Sequence, residues 1–197
     1  MSPPPEDRAV AALGIQPEFS REERALLLRV AHGAIEAAVY QRDLPQFSFP
    51  VHLSEPRGAF TTIYLDGELR GCVGYVLPVV PLYRTVAESA KAAALDDMRF
   101  SPVTPVEAPR LEVVLSILSP LLPVRPEQVE VGRHGLVITL GLRRGLLLPQ
   151  VPVEHGWDRE TYLCQTCRKA GLPADAWQQG AVIEAFTAEV FGDRDMV

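Results

Sequence analysis

The stretch Phe60-Thr61-Thr62-Ile63-Tyr64-Leu65-Asp66-Gly67-Glu68-Leu69-Arg70-Gly71-Cys72-Val73-Gly74 decides the fold. Residues 60–65 are β-branched or aromatic at nearly every position, and a second β-rich run follows Asp66-Gly67. Asp-Gly between two such runs is a strong signal for a two-residue hairpin. The reading predicts an antiparallel hairpin over 60–76, turning at Asp66-Gly67, with Arg70 to Val73 on the returning strand. Side chains alternate along a strand, so Arg70 and Cys72 are expected on one face. Gly71 and Gly74 would let the backbone come close to a ligand. Arg70 offers a fork of donors to a carboxylate or phosphate, and its charge would lower the pKa of the Cys72 thiol. If Arg70 lines no solvent-reachable cleft, it needs a carboxylate such as Glu154, because an unpaired buried charge is very costly.

Upstream of the hairpin, Ser20 and Glu23 form a capping-box pattern ahead of Leu28, Ala31, Ile35 and Ala38 at helical spacing. This predicts a helix over about 20–40, followed by a loop from Pro45 to Pro56. Residues 1–19 read as an N-terminal tail, disordered in part.

Downstream, Leu82, Val86, Ala90 and Ala93 mark a second helix over about 82–96. Asp97 and Arg99, just beyond it, are expected to pair with each other or cap the helix. Leu111, Val113, Leu115 and Ile117 alternate with a mixed face, as in a central strand over 111–118. Further strands are expected at 136–140 and 146–148, joined by a loop from Gly141 to Gly145. Residues 149–154 read as extended because of their prolines, and Asp158 as the N-cap of a third helix over about 159–169. Ala181 to Val190 fits helix or strand, with its β-branched residues favouring strand.

Hairpin strands mixed with three main helices, without strict βαβ alternation, predict an α+β fold with a mostly antiparallel sheet, in one or two lobes. No composition break marks a linker, so residues 20–192 are expected to form a single domain.

The chain of 197 residues is 47% hydrophobic, enough for a sizeable core. Its net charge of −6 argues against general nucleic-acid binding. No apolar stretch reaches the roughly 18 residues of a membrane helix, and residues 1–12 lack a signal-peptide pattern. Three cysteines cannot all pair within one chain, which suits a reduced cytoplasmic protein with free thiols. Cys164 and Cys167 stand one turn apart within the third helix. That is neither the helix-start position of a redox pair nor, without a second pair, a structural zinc set, so no metal is expected.

With these segments placed, the chain resembles the AMMECR domain family, whose bacterial and archaeal members are called AmmeMemoRadiSam system protein A. The resemblance runs from about Ala25 to Val190. The hallmark Leu-Arg-Gly-Cys-Ile-Gly stands here as Leu69-Arg70-Gly71-Cys72-Val73-Gly74. Further matches are Arg57-Gly58-Ala59-Phe60, Asp97 through Pro102, Gly132 through Leu136, Leu147 through Val151, Glu154 with Gly156-Trp157, and Lys169 through Leu172. Pro152 departs from the alanine expected there. The resemblance implies an α+β fold and no established activity. By the system's name it implies association with Memo-like and radical-SAM proteins.

Cys72 reads as a small buried hydrophobe or as a nucleophile, redox thiol or ligand. His134, in a predicted turn, reads as a backbone-bonded histidine or as a general acid or base. Cys72 and His134 are thus the catalytic candidates; Arg70, Gly71, Gly74, Gln150 and Glu154 are the binding candidates for a small ligand. None of these motifs specifies a cofactor. The first reading is an accessory enzyme or substrate-handling protein with a cleft around the hexapeptide; the alternative is a non-catalytic binding or scaffold module. Catalysis requires Arg70, Cys72 and His134 to converge in a concave pocket, whereas a scaffold predicts a flat apolar patch elsewhere.

Overall fold

A computed structural model describes residues 17–196. The capping box forms as predicted: Glu23 N–H donates to Ser20 Oγ (3.2 Å) and Ser20 N–H to Glu23 Oε2 (2.9 Å). It starts α1, Arg21–Val39. Two strands follow, β1 (Ala59–Leu65) and β2 (Glu68–Tyr75). Asp66 and Gly67 both take positive φ, 53° and 87°, the two-residue hairpin geometry that the dipeptide favours. Helix α2 spans Leu82–Leu95 and β3 spans Leu111–Leu118. The second half holds β4 (Leu122–Pro123), β5 (Gly135–Leu140), β6 (Arg143–Leu147), α3 (Gln150–Glu154), α4 (Arg159–Lys169), β7 (Val182–Phe186) and β8 (Ala188–Gly192). Asp158 caps α4, its carboxylate accepting from Thr161 N–H at 2.8 Å.

The fold is α+β, with two four-stranded antiparallel sheets in the orders β2-β1-β3-β8 and β4-β7-β5-β6. As expected, β3 is an inner strand. Residues 181–190 resolve as strand, and Thr187 divides them between the sheets.

Each sheet buries one face. Helices α1 and α2 cover the first sheet, closing Leu27, Ile35, Val86 and Ala90 over Ala59, Ile63, Val113, Leu115 and Ile117. Helix α4 covers the second with Tyr162, Leu163 and Cys167 against Leu136, Ile138, Ile183 and Ala185. A third, smaller cluster of Leu118, Val137 and Phe186, flanked by Phe60, Leu146 and Ala188, joins the two sheets. Strand alternation puts all of these on the helix-free faces, so the bare sides of the two sheets meet there.

Four sequence expectations differ from what is seen. Residues 149–154 are not extended: Gln150–Glu154 is a short helix. Proline suits a first helical turn, where its fixed φ fits and no N–H partner is required. The β5–β6 connection is a two-residue turn at Gly141-Leu142, because Gly145 pairs with Ile138 inside β6. The loop after Pro45 contains a 3₁₀ turn, Val51–Ser54. Of the expected tail, residues 1–16 lie outside the described residues, whereas Phe19 is buried in the first core.

Tyr162 locks the second sheet. It is fully buried, and its hydroxyl lies 3.0 Å from Leu147 O, 3.1 Å from His134 O and 3.3 Å from Leu148 O. Tyr162→Phe removes the donor from buried carbonyls and should lower the unfolding free energy by about 1–2 kcal/mol. Chemical denaturation monitored by circular dichroism measures this; unchanged stability would mean that those carbonyls do not depend on the tyrosine.

Candidate functional site

The hexapeptide Leu69–Gly74 lies on β2, an edge strand. A register slip interrupts its pairing with β1: Ile63 faces Gly71 but Tyr64 faces Leu69, which leaves Arg70 as an extra residue. The bulge breaks the alternation between Arg70 and Cys72, so the shared face expected from strand periodicity does not follow. The two side chains go to different partners.

Arg70 turns to the chain that follows α2. Its Nε donates to Glu107 Oε1 (3.0 Å), its Nη1 to Ser101 O (2.7 Å), and its Nη2 to Pro102 O and Glu107 Oε2 (both 3.3 Å). The carboxylate that holds it is therefore Glu107, not Glu154. Glu107 also accepts from the Thr104 N–H and hydroxyl, each at 2.8 Å. Arg70, followed by the Thr104 N–H, holds the Glu107 carboxyl down at about 2. The signal for this contact was in the sequence: Thr104-Pro105-Val106-Glu107 has the spacing of a capping box.

The two glycines make close approaches to protein. A Cβ on Gly71 would meet the Ala93 carbonyl of α2, and one on Gly74 would meet the Phe60 ring. Cys72 is half-buried. Its sulfur accepts from Thr62 Oγ1 at 3.3 Å across the hairpin. Its peptide edge is closed by side chains: Cys72 N–H donates to Asp97 Oδ2 (2.8 Å), and Arg99 Nη2 donates to Cys72 O (3.3 Å). Asp97 and Arg99 pair as expected, at 2.7 Å. That guanidinium and the Cys72 N–H hold the Asp97 carboxyl well below the usual carboxylate range. Sequence reasoning missed this bracket, because nothing local announces that two loop side chains will close a strand edge.

His134 stands in the other sheet, at the mouth of β5. Its Nδ1 accepts from Glu130 N–H at 3.1 Å, which places any proton of the neutral ring on Nε2. Burial, aided by the Arg133 charge, pushes its pKa down. Gln150 and Glu154 are exposed on α3. Among the described residues, no hydrogen bond or ion pair connects Arg70 or Cys72 with His134, Gln150 or Glu154. Two open surface hollows, about 460 and 430 Å³, are lined by residues such as Pro17, Phe19, Arg24 and Met196, and Glu22, Leu26, Phe49 and Pro50. Neither includes Arg70, Cys72 or His134. Cys167 is buried in the second core, where burial raises its thiol pKa, and Cys164 is half-buried one turn earlier.

Beside the motif lies a bare sheet face. Phe60, Thr62, Tyr64, Cys72, Val114 and Ser116 point away from α1 and α2 and are all half-buried, while Val190 on β8 is exposed. This surface mixes apolar side chains with hydroxyls, and Glu112, opposite Tyr64, adds a carboxylate that pairs with Arg194.

The AMMECR1 family model matches residues 28–191, and the chain belongs to that family. It is 44% identical over 180 residues to Protein MJ0810 of Methanocaldococcus jannaschii, covering 86% of this chain and 90% of the relative. It is 44% identical over 179 residues to Protein TK0174 of Thermococcus kodakarensis, covering 84% and 87%. The crystal structure of the uncharacterized protein PH0010 from Pyrococcus horikoshii is similar, with a TM-score of 0.70, 40% identity, and coverage of 85% of this chain and 89% of that one. No helix among the described residues is long and apolar enough to cross a membrane.

The Arg70–Glu107 pair makes the strand edge acid-labile. A carboxyl whose folded pKa is depressed stabilises the fold above its ordinary pKa and loses that contribution as pH falls through the folded value. For Glu107 the window runs from 4.5 down to about 2. Denaturation midpoints measured across this window should fall less steeply for Glu107→Gln than for the wild type. Parallel profiles would show that the carboxylate is not held as described.

Proposed function

We propose that this AMMECR1-family protein is a non-catalytic binding module. Its working surface is the helix-free face around Cys72, and residues 20–192 act as one unit. The partner is a Memo-like or radical-SAM protein of the kind the family resemblance implies, met in a reducing cytoplasmic setting that suits three free thiols. One observation carries the reading. Arg70, Gly71 and Gly74 are taken up by internal contacts, while the face they support stays half-exposed at Thr62, Cys72, Val114 and Ser116. A hexapeptide so engaged builds a surface rather than a reaction centre. Partly exposed small apolar residues with interspersed hydroxyls suit the core of a protein interface.

The half-exposed thiol beside the Thr62 hydroxyl favours a second reading, in which an accessory enzyme uses Cys72 itself. The two readings separate on variants tested against purified Memo-like and radical-SAM proteins from the same genome. Val114→Arg places a charge on the bare face and should weaken binding to one of them by at least tenfold, about 1.4 kcal/mol, with an unchanged unfolding midpoint. Cys72→Ser should keep that binding. Equal affinity of Val114→Arg and wild type for both proteins would overturn the binding module. Loss of a turnover in Cys72→Ser with partner binding intact would establish the enzyme.

A further inference from the structure

His52 sits in the 3₁₀ turn Val51–Ser54, between two carboxylates of the chain that enters and begins α1. Its Nδ1 lies 2.9 Å from Glu23 Oε1, in the first turn of α1. Its Nε2 lies 3.6 Å from Glu18 Oε1, in the chain that enters α1. Between these two residues, Phe19 stacks its ring on the imidazole, with centroids 4.9 Å apart and an interplanar angle of 14°. The Glu55 carboxylate is near enough for its charge to favour the protonated ring. The nearby cation is Arg57, whose Nη2 reaches Glu18 Oε1 (2.6 Å) and Glu55 Oε2 (3.2 Å) while its Nη1 is buried without a partner. Helix α2 packs behind the turn and is tied to it by Leu82 N–H donating to Glu55 O at 2.9 Å; its Tyr83, Arg84 and Glu88 are not among the ion partners of His52.

The same carboxylate of Glu23 that meets His52 also closes the capping box, accepting from Ser20 N–H at 2.9 Å. The imidazole therefore bears on the entrance to α1 twice, through the helix cap and through Glu18-Phe19. Only the doubly protonated ring can offer an N–H to both carboxylates. The neutral ring keeps one N–H and turns a lone pair towards the other carboxylate.

We propose that His52 is a pH-sensitive clasp that fastens residues 17–20, the entrance to α1, onto the Val51–Ser54 turn and loosens when the ring loses its proton. Glu18, Glu23 and Glu55 outnumber Arg57 around the ring, so the charged form is favoured in the folded protein. The sign follows. The carboxylates raise the His52 pKa above its ordinary 6.5 against the opposing effect of burial, and the Ser20 N–H, followed by the ring, lowers the Glu23 carboxyl against its own burial. A raised histidine stabilises the fold fully below its ordinary pKa and loses that contribution as pH rises through the raised value. The clasp is thus closed below the ordinary histidine pKa and opens as pH rises through the raised value. Arg57 still holds Glu18 when the ring is neutral, so the entrance loosens rather than detaches.

The test is nuclear magnetic resonance on the full chain. The His52 ring should titrate with a midpoint above that of a free histidine. Protection of the Ser20 and Glu23 amides, corrected for intrinsic exchange, should fall several-fold as pH rises through that midpoint. His52→Phe keeps an aromatic ring for Phe19 and removes the charge, so its protection at both amides should be low and independent of pH. A His52 midpoint at or below the free value in the wild type would overturn the clasp even if His52→Phe did not fold. So would a fall in protection that His52→Phe shows equally.

Discussion

The first sheet ends in a strand edge that side chains close. Strand β2 has no neighbour on its outer side among the described strands. An exposed edge of N–H and C=O groups invites unwanted pairing. Here the segment after α2 folds back over it. Arg70 binds Glu107 and two carbonyls of that segment, and the fork of Asp97 and Arg99 takes the N–H and C=O of Cys72. A bulge at Arg70 interrupts the regular ladder at the same point. Gly71 then leaves room for the Ala93 carbonyl, so the hairpin seats closely against α2, and Gly74 leaves room for the Phe60 ring.

That arrangement orients the rest of the molecule. With α1 and α2 committed to one side of the first sheet and α4 to one side of the second, the bare sides meet only at the small cluster of Leu118, Val137 and Phe186. Cys72 stands on the first of these bare sides, one pleat beyond Phe60 and Gly74. The candidate residues come from three elements: an edge strand, the chain entering β5 and a short exposed helix.

Much of the fold was legible because the signals were local. The Asp66-Gly67 turn, the Ser20–Glu23 box, the Asp158 cap and the alternation of residues 111–118 each depend on neighbours in sequence. The proline-bearing run 149–154 misled, since the same fixed φ serves an extended chain and a first helical turn. The site was less legible. Period-two reasoning assumed an unbroken ladder, and no residue type at 69–71 announces the bulge that interrupts it at Arg70. The choice of Glu107 over Glu154 as its partner is made by the path of the chain after α2. Glycines spaced for close approach do not say whether a ligand or the Ala93 carbonyl will approach.

The central claim is that the hexapeptide is a brace, with Arg70 acting through Glu107. A double-mutant cycle of Arg70→Ala, Glu107→Ala and the double variant, read as unfolding free energy, measures this most directly. The account predicts a coupling on the order of 1 kcal/mol, with both single variants destabilised. Additive effects, with Arg70→Ala as stable as the wild type, would contradict it and return Arg70 to the role of a free ligand-binding cation.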